Sequence, residues 1–239
     1  MANQNLFIPV TQDEKKDYQY EEAMKTLRTN IQFSGSGLKV IMLTSTMPDE
    51  GKSETSSQLA ISMAQTEGRV LFIYADIRKS VLVSRFGFGQ QIYGLTQYLT
   101  GQKLLGDILY HTNLPNLDII FSGPMAPNPA ELLGEDAFAR LVEWARNEYD
   151  TIIIDTPPLG SVIDAAIISQ RCDGAILVVE SGALSYRLVQ KAKNQLERTG
   201  CRILGAVLNR VDMAGSGYYH RYYGKYSKYS KYYENESDK

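Results

Sequence analysis

Residues 39–57 read KVIMLTSTMPDEGKSETSS and determine the fold that we predict for this chain. The apolar run Val40–Leu43 is typical of a buried strand, and a segment compatible with a helix begins at Lys52. Between the two lies a tight turn that ends in Gly51-Lys52-Ser53. Such a turn wraps backbone N–H groups around a phosphate at a helix N-terminus, where the helix dipole also favours negative charge. The stretch therefore predicts a phosphate-binding loop.

The loop departs at one position from the usual pattern, G-x-x-x-x-G-K-[ST], because Thr46 stands where the first glycine belongs. In this pattern the lysine, here Lys52, reaches the β- and γ-phosphates, and the hydroxyl of Ser53 holds Mg²⁺. A Gly-Lys-Ser tripeptide alone also occurs in plain turns. Its position between a buried strand and a helix favours the phosphate site.

The composition bounds the class of protein. A chain of 239 residues with 44% hydrophobic and 22% charged residues is typical of a soluble globular protein with one large α/β domain or two small ones. The formal net charge of −2 argues against a general nucleic-acid binder. Cys172 and Cys201 lack disulfide or metal spacing, so we expect buried thiols in a reducing compartment. No apolar run approaches about 18 residues and the chain does not begin with a signal-peptide pattern, so we expect no segment that crosses a membrane.

Six strands are predicted to alternate with helices. The strands are expected at Val40–Leu43, Val70–Ile73, Leu117–Phe121, Thr151–Ile154, Ala175–Val179 and Ile203–Leu208. Helical segments are expected at Tyr18–Phe33, from Lys52 to Gly68, and at Glu135–Glu148, Ser161–Arg171 and Leu184–Arg198. This alternation predicts an α/β fold with three layers, in which helices flank a mostly parallel central sheet. The polar, glycine-punctuated residues 79–116 predict only short helical pieces.

The chain is expected to have three parts. Residues 1–17 are predicted to be a flexible arm, residues 18–214 the α/β domain, and residues 215–239 a flexible tail. The tail has no apolar residues except its tyrosines, so burial cannot offset the entropy lost on ordering it.

Two carboxylates are predicted at the ends of strands. Asp76 follows the second predicted strand and Asp155 follows the fourth. Because open α/β sheets bind ligands beyond the carboxyl ends of their strands, both are site candidates, and Asp155 could hold Mg²⁺ through water. The alternative for Asp76 is a simple helix cap.

The first predicted helix carries Glu22, Lys25 and Arg28 on one face, three residues apart. Spacing alone favours a solvated face with i,i+3 pairs. A contact between subunits is the alternative.

The tail holds half of the tyrosines in the chain, eight of 16. We considered stacking on single-stranded nucleic acid, a general interaction tail, and a set of phosphate acceptors. The third interpretation is favoured once a phosphate-transfer site is present. Residues 215–233 contain four Lys/Arg and no acid. Each phosphotyrosine adds roughly −1.5 to −2, so eight of them would reverse the sign of the tail.

At this point the sequence resembles the bacterial tyrosine kinases, the P-loop kinases of capsule and exopolysaccharide assembly. The resemblance covers roughly residues 18–239, and the patterns of eukaryotic kinases are absent. Its motifs are TSTMPDEGKS (44–53), YADIRKS (74–80), IIIDTPP (152–158), the Pro-Asn-Pro-Ala-Glu loop and the tyrosine cluster. A separate chain without membrane spans looks like the Gram-positive arrangement, in which the cytoplasmic tail of a transmembrane adaptor activates the kinase.

The resemblance implies a P-loop NTPase fold, ATP and Mg²⁺ as cofactors, and a role for each matching residue. The implied catalytic residues are Lys52, Asp76, Arg78 and Asp155. Ser53, Asp76 and Asp155 would bind the metal, and the nucleotide would contact Asp49, Glu50, Gly51, Lys52, Ser53, Glu54, Asn209 and Arg210, with Asn209 placed to contact the purine. The implied phosphate acceptors are Tyr218, Tyr219, Tyr222, Tyr223, Tyr226, Tyr229, Tyr232 and Tyr233.

Two positions depart from the family pattern. Tyr74 replaces the first acid of the D-x-D-x-R element, and a phenol is a poor base at neutral pH, so we expect reduced rather than absent activity. Lys25 replaces an arginine of the ring-forming E-x-x-R-x-x-R motif, which keeps the charge and loses bidentate geometry. The resemblance nevertheless favours Glu22, Lys25 and Arg28 as a contact between subunits in a ring. A tail could then enter the site of a neighbouring subunit.

The leading hypothesis is a cytoplasmic ATP-dependent tyrosine kinase that phosphorylates its own tail and other proteins, is recruited to the inner face of the membrane by its adaptor, and binds no nucleic acid. The alternatives are a partition-type ATPase, a pseudokinase in which nucleotide only sets assembly, and a GTP-dependent switch. Met47 stands where partition ATPases carry a lysine, which argues against the first. Asn209-Arg-Val-Asp212 has the spacing of N-K-x-D, but Arg210 and the family match favour adenine.

Overall fold

The computed structural model describes residues 7–8, 10, 18–66, 68–79 and 92–211. The strands in these residues are β1 (Phe7–Ile8), β2 (Val40–Ser45), β3 (Val70–Tyr74), β4 (Leu109–Thr112), β5 (Leu117–Ile120), β6 (Thr151–Asp155), β7 (Gly174–Glu180) and β8 (Ile203–Asn209). The helices are α1 (Tyr18–Phe33), α2 (Lys52–Ala64), α3 (Leu95–Leu99), α4 (Leu105–Ile108), α5 (Pro129–Gly134), α6 (Asp136–Glu148), α7 (Asp164–Ser169) and α8 (Tyr186–Glu197). No helix in this part of the chain is long and apolar enough to span a membrane.

The eight strands form one sheet in the order β1-β4-β5-β3-β6-β2-β7-β8. Neighbouring strands are parallel except for β4 and β5, which are antiparallel. β2 lies between β6 and β7, and all six of its residues are buried. The carboxyl ends of β2, β3 and β6 therefore meet at one edge of the sheet.

Side chains that alternate along the central strands fill a core on each face of the sheet. Val40 and Met42 of β2 pack into one core, together with Leu141 of α6 and Leu196 of α8. Ile41 belongs to the opposite core, whose other members come in part from α1 and α2, such as Ile31 and Leu59. Because strand side chains alternate between faces, each buried strand supplies both cores. The result is the predicted α/β fold with three layers.

Two strands were missed by the prediction of six. β4 lies inside residues 79–116, where only helical pieces were expected, and it pairs with β5 from Leu109 to His111. Its four residues carry too little periodicity to identify a strand, which is defined by its pairing with β5 and β1.

The predicted flexible arm is attached to the sheet at its described positions. β1 pairs with β4, the Ile8 side chain is fully buried, and the Val10 N–H donates to Asn113 Oδ1 at 2.8 Å. At these positions apolar burial and a β-ladder hold the chain, and flexibility of the arm as a whole stays a prediction. The rest of the arm and the whole predicted tail, residues 215–239, lie outside the described residues.

Candidate nucleotide site

A cavity of about 230 Å³ opens at the carboxyl ends of β2, β3 and β6. It is lined by Ser45, Pro48, Asp49, Gly51, Lys52, Ser53, Glu54, Tyr74, Asp76, Lys79, Asp155, Pro158 and Arg210. The phosphate loop, the end of β3 and the end of β6 thus face one space, as the parallel topology predicts.

The loop turns into α2 through a left-handed glycine. Gly51 has φ 82°, and a Cβ at this position would lie 2.0 Å from Asn209 Nδ2. Only glycine fits there, because any side chain would be strained and would also displace the asparagine. α2 begins at Lys52, so the N–H groups of its first turn are directed at the cavity side of the loop.

Asp155 is the centre of the site. Its carboxylate accepts hydrogen bonds from Lys52 Nζ at 2.5 Å, Ser53 Oγ at 2.7 Å and Ser56 Oγ at 3.1 Å. Lys52 is 7% exposed and Asp155 1% exposed, so water screens this ion pair little. The structure thus brings Asp155 into contact with Lys52 and Ser53, which lie 103 and 102 positions away in the sequence.

The ammonium of Lys52 has three N–H donors, and in the described residues two of them have partners, Asp155 Oδ1 and Ser53 Oγ at 3.2 Å. The remaining donor is able to contact an anion in the cavity. Asp155 therefore fixes the position of the lysine without using its full hydrogen-bonding capacity.

Asp76 faces the same cavity from the loop after β3. The backbone N–H of Arg78 donates to Asp76 Oδ1 at 3.2 Å. Burial raises the pKa of the Asp76 carboxyl above its ordinary value, Lys52 opposes this effect, and Asp155 raises the pKa further. The two carboxylates therefore lie close enough to repel one another.

The oxygen atoms of Ser53, Asp76 and Asp155 fit a magnesium ion. Mg²⁺ prefers hard oxygen ligands, and it commonly keeps several waters and uses one or two carboxylates together with substrate phosphates. A cation between Asp76 and Asp155 would relieve the repulsion that raises the pKa of Asp76. Among the described residues no group of three or more His, Cys, Asp or Glu side chains could hold a metal by itself.

Arg78, predicted to be catalytic, does not line the cavity. Its Nε and Nη2 donate to the two carboxylate oxygens of Asp164 at 2.7 and 2.8 Å. Asp164 is fully buried in the first turn of α7, and it raises the pKa of the Arg78 guanidinium. The structure therefore places Arg78 as the link between the Asp76 loop and α7. Sequence reasoning missed Asp164, whose one signal was an acid in the first turn of an apolar helix.

Glu50 also has a different position from the one expected of a nucleotide contact. It is 2% exposed, and its carboxylate accepts from the backbone N–H of Met47 at 2.7 Å and of Glu180 at 3.1 Å. Its carbonyl accepts from Asn209 Nδ2 at 2.9 Å. Glu50 thus joins the loop to the ends of β7 and β8. The Asn209 amide, expected at the purine, donates to this carbonyl and lies against Gly51.

Three further predicted nucleotide residues, Asp49, Glu54 and Arg210, do line the cavity. Asp49 and Arg210 both have left-handed backbone angles, at φ 68° and 55°. The Arg210 guanidinium donates to Glu180 Oε2 at 2.9 Å, which holds it at the rim. Glu54 lies in the first turn of α2, and with burial it raises the pKa of Tyr20 to about 12.

Tyr74, the departure from the family pattern, is a core residue whose edge reaches the cavity. It is 3% exposed and stacks on Phe121 with ring centroids 5.7 Å apart, while the Phe72 centroid lies 4.3 Å away. Aromatic packing of this kind suits a phenol and excludes a carboxylate.

The predicted subunit-contact residues make contacts within the chain. Lys25 and Glu22 form an exposed ion pair at 2.7 Å. Arg28 Nη1 donates to the Ser62 carbonyl at 2.5 Å and so ties α1 to α2. Contact with a second subunit stays a prediction, and the predicted phosphate acceptors lie outside the described residues.

These features define a nucleotide-binding protein of the P-loop class. They are the three-layer α/β fold, the Gly-Lys-Ser loop at the start of α2 and the carboxylates beside that loop. A family model described as an AAA domain matches residues 38–200. The chain is 46% identical over 204 residues to the tyrosine-protein kinase CpsD of Streptococcus agalactiae, covering 84% of this chain and 89% of that protein. It is 36% identical to the tyrosine-protein kinase etk of Escherichia coli K12, over 83% of this chain and 27% of that protein.

Solved structures agree with these relatives. The kinase domain of the Escherichia coli tyrosine kinase ETK is 32% identical, with a TM-score of 0.74 over 89% of this chain and 93% of that chain. The septum site-determining protein MinD of Pyrococcus horikoshii, solved with Mg-ADP, is 22% identical with a TM-score of 0.61 over 74% of this chain and 72% of that chain, a likeness of fold alone. The chain belongs to the family of bacterial tyrosine-protein kinases.

Proposed function

We propose that this protein transfers the γ-phosphate of ATP to tyrosine hydroxyls, and that the eight tyrosines between Tyr218 and Tyr233 are its first acceptors. The observation that carries the proposal is the convergence of Lys52, Ser53 and Asp155 with Asp76 on one cavity. The relatives named tyrosine-protein kinases support the reaction class. A tail with eight tyrosines supplies the acceptors within the same chain.

The reaction asks two things of these residues. The loop N–H groups and Lys52 stabilise negative charge on the phosphates, and Asp155 holds Lys52 and Ser53 in position for this. Mg²⁺, bound by Ser53, Asp76 and Asp155, would supply further positive charge. The tyrosine oxygen forms a bond to the γ-phosphorus as the bond from that phosphorus to the leaving oxygen of ADP breaks.

Asp76 is the group placed to accept the proton of the tyrosine hydroxyl. Its carboxylate faces the cavity beside Lys52 and Asp155, within the space where the phosphates and an incoming hydroxyl would meet. Because phosphoryl transfer has a loose transition state, this base contributes less than charge stabilisation does.

The setting of the reaction follows from the resemblance. We propose that subunits assemble into a ring through Glu22, Lys25 and Arg28, and that the tail of one subunit enters the cavity of the next. The cytoplasmic tail of a transmembrane adaptor would recruit the protein to the inner face of the membrane and activate it. Further tyrosine substrates and a role in capsule or exopolysaccharide synthesis belong to the same proposal.

The test uses the full chain with Mg-ATP, with and without a peptide of an adaptor tail, and maps phosphotyrosine by mass spectrometry. Lys52→Met is expected to lower labelling by at least about 100-fold because it removes the charge nearest the phosphates. Lys193→Met is the matched control, since this lysine of α8 does not line the cavity. Labelling that survives Lys52→Met would contradict the proposed site.

Transfer between subunits needs a second experiment. A chain with Lys52→Met is mixed with an active chain whose eight tail tyrosines are phenylalanine. Phosphate on the tail of the Lys52→Met chain is expected, because only the other chain can supply it. Absence of that label, with normal self-labelling of the unaltered protein, would restrict transfer to one chain.

A weak or inactive kinase that uses nucleotide only as an assembly switch is the second candidate. One observation favours it: Tyr74 occupies the place of the family's first acid and is packed between aromatic rings. Saturable ATP binding without phosphotyrosine under any condition would select this candidate.

A further inference from the structure

α8 presents a row of cations to solvent. Arg187, Lys191 and Arg198 are exposed, and together with the exposed Asn194 they recur at intervals of four, three and four residues. This spacing places them on one face of a helix, and Arg198, which caps α8, keeps helical backbone angles of φ −66° and ψ −18°. The row, here called the α8 stripe (Arg187, Lys191, Arg198), extends about 16 Å along the helix axis.

The three stripe residues form no ion pair within the described residues, whereas Lys193 on the same helix does. On the same helix, Lys193 pairs with Glu197, and on α6 Arg146 pairs with Asp173. Lys193 therefore has the ordinary role of a helix surface residue, an i,i+4 ion pair. The stripe residues do not have that role.

Charge is sorted across the helical layer to which α8 belongs. Residues 181–202 contain five basic residues and one acid, whereas residues 129–150, which include α5 and α6, contain six acids and two basic residues. α8 contacts α7, and α6 contacts the central strand β6, while both helices contribute side chains to the same core. The net charge of the whole chain is only −2, so the two regions nearly cancel in total. Their separation still gives the molecule a basic side and an acidic side, which a charged surface would attract and repel.

Exposed apolar surface lies beside the stripe. Tyr186 and Leu188, which flank Arg187, are 75% and 43% exposed. α8 buries only Ala192 and Leu196, so most of its surface is open. Tyrosine is suited to the boundary between water and lipid, and cationic side chains are attracted to anionic headgroups.

We propose that the α8 stripe, with Tyr186 at its end, binds the surface of a bilayer that contains anionic phospholipids. The row of cations matches a plane of negative headgroups, and repulsion disfavours an approach through the acidic α5–α6 region. None of the stripe residues lines the nucleotide cavity, so binding leaves that cavity accessible. This contact is independent of any adaptor and of the proposed phosphorylation.

The test is flotation of the full chain with vesicles of phosphatidylcholine alone or with about one third phosphatidylglycerol. Binding is expected only to the anionic vesicles and is expected to weaken strongly between about 50 mM and about 300 mM salt. Replacing Arg187, Lys191 and Arg198 with glutamine should lower the apparent affinity by about 100-fold, since each charge contributes about fivefold. Tyr186→Ala should lower it by a smaller factor without changing the charge.

The matched control removes three cations elsewhere, by glutamine at Lys103, Arg140 and Arg171, and should change affinity by less than about threefold. A stripe variant that floats like the unaltered protein overturns the proposal. So does a loss of flotation confined to a variant with glutamine at the four basic tail positions 221, 225, 228 and 231, because the tail would then be the binding element. If the stripe instead binds a phosphotyrosine-bearing tail peptide and vesicles do not bind, the bilayer assignment is wrong.

Discussion

Arg78 and Asp164 are joined by two hydrogen bonds, from Nε to Oδ2 at 2.7 Å and from Nη2 to Oδ1 at 2.8 Å. The Asp164 side chain is fully buried, whereas 39% of the Arg78 side chain is exposed. The guanidinium can therefore turn towards water if its partner is lost, and the carboxylate cannot. The pair fastens the loop that carries Asp76 to the first turn of α7.

Removal of the two partners is expected to have unequal effects on stability. Arg78→Ala leaves a buried carboxylate without its charge partner and should lower the free energy of unfolding by about 3 kcal/mol. Asp164→Ala should cost only about 1–2 kcal/mol, because Arg78 can be hydrated. Urea denaturation measures both, with the exposed Arg140→Ala as control. Equal losses, or a larger loss for Asp164→Ala, would contradict the structural account.

Glu50 is expected to support the phosphate loop rather than contact nucleotide. Glu50→Ala removes the buried carboxylate that accepts from the partly buried backbone N–H groups of Met47 and Glu180, which should destabilise the fold by about 1–3 kcal/mol and weaken ATP binding by about tenfold or more. Glu50→Gln keeps one acceptor oxygen and should have a smaller effect on both.

The control for Glu50 is Glu143→Gln, because Glu143 is an exposed acid on α6 that does not line the cavity. Titration with a fluorescent ATP analogue gives the affinities. An unchanged affinity in a folded Glu50→Ala protein would show that the loop does not need this support.

Tyr74 and Asp76 are expected to differ sharply in their effect on the reaction. Tyr74→Phe keeps the ring packed against Phe121 and should change kcat by less than about threefold, since the phenol is a poor base. Asp76→Asn should lower kcat by about 100-fold or more. Tyr74→Asp should destabilise the protein by about 3–5 kcal/mol, because it replaces a buried ring with a charge.

Initial rates of tail labelling and urea denaturation measure these three variants. A large loss of kcat in Tyr74→Phe with unchanged stability would identify the phenol as a participant in the chemistry.

The pH dependence of activity tests Asp76 as the proton acceptor. The carboxylate form is needed to accept a proton, so activity should fall as pH falls through the pKa of this carboxyl. Burial and Asp155 raise that pKa in the metal-free protein, whereas Mg²⁺ bound at Asp76 would favour the carboxylate, so the acid limb of the kcat profile should move to lower pH as the Mg²⁺ concentration rises. In Asp76→Asn the residual rate should lack this limb. An identical limb in the variant would assign it to another group.

The raised pKa of Asp76 also makes the stability of the fold depend on pH, in the opposite direction to the activity. Because the folded pKa exceeds the unfolded pKa, the native state binds more protons, and stability falls as pH rises from about 3.8 through the folded pKa. Asp76→Asn should therefore raise the free energy of unfolding at neutral pH relative to the unaltered protein, with the difference shrinking at acid pH. Thermal unfolding at several pH values measures the difference.

The sequence alone was sufficient for the central architecture. α1 begins and ends where predicted, and each predicted strand lies within about two residues of an observed one, because long apolar runs and periodic helices are local signals. The sequence also predicted that Lys52, Asp76 and Asp155 line one cavity. The reason is that parallel strands place their carboxyl ends at the same edge of a sheet.

What the sequence did not reveal depends on partners that only the fold supplies. β4 is a strand because β5 lies beside it, and Ile8 is buried because β4 offers an edge. Glu50 and Arg78 looked like functional residues by position, yet Glu180 and Asp164, more than 80 residues away in the chain, occupy their polar groups. No local pattern encodes pairs of this kind.

Asn209 and Arg210, which brace the phosphate loop at Glu50 and the β7 end at Glu180, are followed within two residues by the end of the described chain at Val211. A partner that binds the tyrosine-rich segment would act on a part of the chain that continues from these two residues. If such binding displaces them, nucleotide is held less tightly, and thermodynamic reciprocity requires bound nucleotide to weaken that binding by the same factor. Nucleotide binding and binding of the tyrosine-rich segment would then be coupled, each weakening the other.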